Sequence, residues 1–102
     1  MTTLDTLPLD LDPVEAIRAN VRWEVDSGHG WLLVNLHAYP RALDHADPFC
    51  YRSGDVVALE EDCAAGSFLD AHPAVLAVAA AHRLDVTRRD GDSPVRYWPR
   101  AR

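Results

Sequence analysis

The chain has 102 residues, 48% of them apolar, and a formal net charge of −6. That length suits one domain able to bury a core without staples, and the apolar share excludes global disorder. No apolar run approaches the roughly 20 residues of a membrane span, and the acidity argues against a nucleic-acid binder, which needs a basic footprint to displace counterions from phosphates.

Met1-Thr2-Thr3-Leu4-Asp5 has neither the basic nor the apolar region of a signal peptide, which predicts a cytoplasmic location. There Cys50 and Cys63 would be reduced thiols. Residues 1–11 read as a flexible arm and residues 12–102 as a single domain. Asp12 can cap a first helix, Pro13 suits its first position and Glu15 its positive end, and the helix should stop near Asn20. Val21 to Asp26 alternates apolar and charged residues, the pattern of a half-buried strand with Val21, Trp23 and Val25 inward. Ser27-Gly28-His29-Gly30 is a turn of hairpin length, with His29 read as tolerating a positive φ. Trp31 to Leu36 is largely apolar, which predicts a central strand covered on both faces or one with a face under a helix.

Two prolines and a glycine interrupt residues 37–55, where one helical turn over Arg41 to His45 is expected. Val56 to Leu59 reads as a short strand. Glu60-Glu61-Asp62 reads as the first turn of a helix, its acids complementing the dipole. Pro73 should open another helix, Ala74 to His82. The end of the chain, Leu84 to Trp98, reads as a second hairpin around Asp90-Gly91. The expected fold is α+β: a small antiparallel sheet of two hairpins against two or three helices. Trp23, Trp31 and Trp98 are expected in one core cluster.

Several constellations bear on function. His29, exposed between glycines, could act as a general base oriented by Glu24 or Asp26. Cys63 could be a nucleophile near a helix N-terminus, although neighbouring carboxylates oppose its thiolate. His37, His45, Cys50 and Cys63 are zinc-ligating types without the spacing of a zinc module, so no metal or cofactor is expected, and both thiols read as small core groups. Asp55, Glu60, Glu61 and Asp62 form an acidic run suited, with His29, to a basic protein surface. Arg88, Arg89, Arg96, Tyr97, Trp98 and Arg100 interleave cations with aromatics, a pattern that could stack on single-stranded nucleic acid, or be a strand with Trp98 inside. No phosphate loop, nucleophile elbow or zincin motif is present.

Ser27-Gly28-His29-Gly30, the apolar strand after it, Ala58-Leu59-Glu60-Glu61-Asp62-Cys63 and Phe68 to Pro73 together resemble a small domain family of phage, plasmid and GC-rich bacterial genomes. The family usually has an aromatic pair where this chain has Ala58-Leu59. The resemblance covers Trp23 to Pro73, about half the chain, and implies an α+β fold and a mobile-element context but no reaction. The combined expectation is an accessory protein that binds another protein, as a monomer or homodimer, for example an anti-CRISPR or anti-restriction inhibitor of a host or defence component. The alternatives are a small enzyme with a His/Cys/carboxylate site and a nucleic-acid accessory using the C-terminal arginines.

Overall fold

The computed structural model describes residues 12–102, so the arm expected over residues 1–11 lies outside it. Helix α1, Pro13–Asn20, starts as its sequence requires: the Asp12 carboxylate accepts from the Val14 N–H at 2.7 Å, and Pro13 takes the first helical position, where its missing N–H costs nothing. Val21 turns extended and opens β1, Val21–Val25, which pairs antiparallel with β2, Gly30–Asn35. A 3-10 helix follows over Pro40–His45, then β3, Tyr51–Ser53, and β4, Val56–Glu60. Helices α2, Ala64–Ala71, and α3, Pro73–Ala80, lead to β5, Val86–Arg88, and a last 3-10 helix, Pro94–Tyr97. The sheet order is β3-β4-β2-β1-β5, and the fold is α+β as expected.

The period-2 alternation of the strands sends their residues to two different layers. Val21, Leu32, Val34, Val57 and Leu59 face the helices and pack on Ile17, Phe68, Val75 and Val78. Trp31, Leu33 and Ala58 face the other way, under Val95 and Trp98 of the C-terminal segment. The apolar run of β2 thus has both its faces covered, which is why no polar residue interrupts it. Burying a side chain such as Leu32 or Leu33 contributes about 2 kcal/mol on either face.

Three expectations are corrected. The second hairpin does not form: β5 runs parallel to β1, with Trp23 opposite Val86, which makes the sheet mixed. Beyond Asp90-Gly91, Pro94 has no N–H for a ladder and a φ suited to the start of a short helix. Ser93 caps that helix, accepting from the Val95 N–H, and the chain crosses the sheet face instead of returning beside β5. The acids Glu60 to Asp62 do not open a helix, because Glu60 is held in β4 opposite Trp31 and α2 begins only at Ala64, with no acid in its first turn. The tryptophans are divided, Trp23 on the helix side and Trp31 and Trp98 on the other. The sequence also gave no sign of β3, whose three residues extend the β4 edge and are joined by the chain end: the Arg52 N–H donates to the Pro99 carbonyl at 2.8 Å.

Among the described residues one non-glycine sits in the left-handed region. His82, with φ 58°, follows the C-terminus of α3, where the Arg83 N–H closes onto the Val78 carbonyl. A Cβ in that conformation costs on the order of 1 kcal/mol, and glycine avoids it. His82→Gly should therefore raise stability by about 1 kcal/mol, read as a higher urea midpoint at unchanged slope.

Candidate functional site

Of the charged residues that alternate along Val21 to Asp26, Arg22 is exposed, but Glu24 and Asp26 are withdrawn from solvent. Glu24 is 2% exposed and Asp26 7% exposed. Both point to the face opposite the helices, and the C-terminal segment supplies their partners. Arg89 Nε and the Ser93 hydroxyl donate to Glu24 Oε2. The Ser93 N–H donates to Asp26 Oδ2 at 2.9 Å, and Arg96 clasps both Asp26 oxygens, its Nη2 reaching Oδ1 at 2.9 Å. Asp26 Oδ1 also accepts from the N–H groups of Gly28 and His29. This carboxylate shapes the hairpin turn, so neither His29 nor its flanking glycines adopt a positive φ, contrary to the expectation for His29. The Arg96 guanidinium first, with the backbone N–H groups, holds the Asp26 carboxyl far below the usual carboxylate range, against the opposing effect of burial.

Beside this clasp lies a hollow of about 120 Å³. Trp31, 2% exposed, is at its base, with Tyr51 edge-on to it at 6.3 Å between ring centroids. His29 stacks on Trp31 with an interplanar angle of 14°. Arginine only donates, so the 2.9 Å contact from Arg96 Nη2 makes His29 Nδ1 an acceptor and places the ring proton on Nε2. Arg96 lies over Trp31, and Arg100 over Tyr51 at 4.9 Å. Phe49 and Glu60 complete the lining, and Phe49 is 65% exposed. A second hollow of about 250 Å³, between the end of α1 and the middle of the sheet, is lined by Arg18, Arg22, Leu33 and Val56. Two further lining residues are Asn20 and Asn35: the Asn35 amide donates to Asn20 Oδ1 at 2.8 Å and the Asn20 amide to the Ala16 carbonyl, and Arg18 is paired with Asp85.

The fold gathers some of the residues singled out in the sequence and separates others. Glu60, Glu61 and Asp62 end β4 at the edge where β2 begins, next to the His29 turn. The Glu61 N–H donates to the Gly30 carbonyl at 3.0 Å, and a Cβ on Gly30 would lie 2.7 Å from Glu61 Oε2, so the glycine makes room for that side chain. Asp55 is at the opposite end of β4, about 17 Å away at 3.4 Å per residue, and is paired with His37 at 2.8 Å. Of the C-terminal set, Arg89 and Arg96 are engaged by Glu24 and Asp26, Trp98 is half-buried, and Tyr97 is 77% exposed with its hydroxyl on Asp92. Arg88 is exposed on β5.

The thiols and histidines do not converge. Cys50 is buried, and burial pushes its thiol pKa up. Cys63 is exposed at the start of α2, contrary to its expected place in the core. His45 bonds the Ser67 hydroxyl, and His29 is engaged by Arg96. Among the described residues no group of three or more His, Cys, Asp or Glu side chains could hold a metal ion, and no helix is long and apolar enough to cross a membrane. The residues that sequence reasoning missed are Phe49, Tyr51 and Trp31 as walls of one hollow. The sequence shows only that two aromatics, Phe49 and Tyr51, closely follow Pro48, and the exposure of Phe49 is visible only in the fold. No family model, curated protein or solved structure matches this chain.

The clasp predicts an acid transition. Because the folded Asp26 pKa lies below its unfolded value near 3.9, the stabilisation is complete above about pH 4 and lost as pH falls below it. Asp26→Ala should cost roughly 3 kcal/mol at pH 7, since it strands a partly buried arginine and three backbone N–H donors. Urea denaturation at pH 7 and pH 3 checks both, and the variant should lose less stability than wild type between the two.

Proposed function

We propose that the protein acts by binding another protein, docking a basic surface against the acidic end of β4. The observation that carries this reading is the unmatched charge of Glu60, Glu61 and Asp62. Several other acids have a cation in contact: Asp85 has Arg18, Asp44 has Arg41, Asp92 has Arg96, and Glu24 and Asp26 have Arg89 and Arg96. Among the described residues none of the three acids at the end of β4 has such a partner. Like charges left together in this way raise the energy of the free surface and are relieved by a cationic one, which favours fast, salt-sensitive association.

The exposed Phe49 supports the same reading, because aromatic side chains beside charged rims are typical of interface anchors. The resemblance of Trp23 to Pro73 to the mobile-element family supports a host or defence protein as the partner, with inhibition of the anti-CRISPR or anti-restriction kind as the outcome. No catalytic step enters this reading, since the His29 and Cys63 side chains share no hydrogen bond among the described residues.

The test is affinity capture from lysate of the source organism with wild type and a Glu61→Lys/Asp62→Lys variant. Both side chains are exposed, so the fold should survive. The expected result is a stoichiometric partner held at low salt, released as salt rises, and retained at least about tenfold less by the variant. Equal retention by wild type and variant would sink the placement.

A further inference from the structure

The hollow over Trp31 carries chemistry that the acidic edge does not use. Arg96 is committed to Asp26, Asp92 and His29. Arg100 spends only Nη1, on the Pro48 carbonyl at 2.8 Å, and its remaining N–H groups have no partner among the described residues. Glu60 accepts the Asp62 N–H on Oε1, and Oε2 has no partner there. The hollow thus offers an unused guanidinium fork, an unused carboxylate oxygen and aromatic walls, of which Phe49 is open to solvent.

We propose that this hollow binds a guanine nucleotide, the base against the aromatic walls, its N1–H and amino edge on Glu60, and the phosphate on Arg100. Each part of the ligand answers one unsatisfied feature. A base has a π-face for the exposed Phe49 ring, since Arg100 already lies over Tyr51 and His29 and Arg96 over Trp31. A carboxylate accepts from the adjacent donors of guanine, whereas uracil presents one N–H between two carbonyl oxygens, which Glu60 would repel. An arginine fork matches a phosphate bidentately. The net charge of −6 does not oppose this occupant, since one phosphate needs one cation, while a nucleic-acid strand needs a basic track. The hollow shares Glu60 and Phe49 with the proposed partner surface, but Arg100 belongs to the hollow alone and Glu61 and Asp62 do not line it, so Arg100→Ala and the Glu61→Lys/Asp62→Lys pair test the two readings separately.

The experiment titrates the full chain with GMP, UMP, guanosine and inorganic phosphate, read by calorimetry and by the Trp31 indole N–H resonance. GMP should bind with a Kd below about 1 mM, and UMP about tenfold more weakly. Arg100→Ala should weaken GMP about tenfold and leave guanosine unchanged. Glu60→Gln, which keeps the shape of the side chain, should bring GMP and UMP to within about twofold. A guanine-ended oligonucleotide binding more tightly than GMP would support the site and assign its ligand to a strand end; equal binding would support a free nucleotide. Absence of GMP binding at about 1 mM, equal GMP and UMP affinity in wild type, or wild-type affinity in both variants would overturn the proposal.

Discussion

A carboxylate withdrawn from water must find cations and donors or remain protonated, and β1 presents two of them on one face, Glu24 and Asp26. Apart from the Gly28 and His29 N–H groups on Asp26, their partners, Arg89, Ser93 and Arg96, lie in the C-terminal segment. Removing either side would leave buried charge or orphaned donors, so the two regions are ordered together. The docking also brings Val95 and Trp98 onto Trp31, Leu33 and Ala58. Without that cover, the inner strands β2 and β4 would expose a broad apolar surface of the kind that aggregates. The polar clasp supplies direction and register, and the apolar burial beneath it supplies much of the energy.

This use of the arginines changes what the C-terminal segment can do. In the sequence it is a cationic and aromatic run. In the fold, Arg89 and Arg96 neutralise buried acids, and Arg100 is laid over Tyr51 with one nitrogen on Pro48. A groove that tracks a phosphate backbone needs several uncommitted cations in line, and here the cations are distributed among separate structural duties. The segment is better described as a strap across the sheet that contributes two residues, Arg96 and Arg100, to the hollow at its edge.

The elements whose causes are local were legible in the sequence. Asp12 and Pro13 start α1, the alternation of Val21, Trp23 and Val25 marks the inward face of β1, and Pro73 starts α3. The apolar run Trp31 to Leu36 also signalled that something covers the second face. What covers it was not legible, because Glu24 and Arg89 are 65 residues apart and Asp26 and Arg96 are 70 apart, and no periodicity connects them. The same alternation that identified β1 therefore assigned Glu24 and Asp26 to solvent. Asp90-Gly91 is a sound hairpin signal in isolation, and it lost to Pro94 and to the pull of two buried carboxylates. Glu60-Glu61-Asp62 suits a helix start equally well, and it lost to the pairing of Glu60 with Trp31 across β4 and β2. In each case a long-range contact outweighed a correct local preference.

The hollow inherits this dependence on distant contacts. His29 comes from the β1–β2 turn, Phe49 and Tyr51 from the segment entering β3, Glu60 from the end of β4, and Arg96 and Arg100 from the strap. The first four are fixed by the sheet, and the last two are present only while the strap is docked. Asp26 binds the N–H of His29 and the guanidinium of Arg96 at once, so one carboxylate sets the positions of two walls. Acid acts on the second face through this carboxylate, whereas no ionisable group is needed to hold Phe68, Leu32 and Leu59 together. The hold of the second face thus depends on charge, and that of the helix-side core on apolar burial.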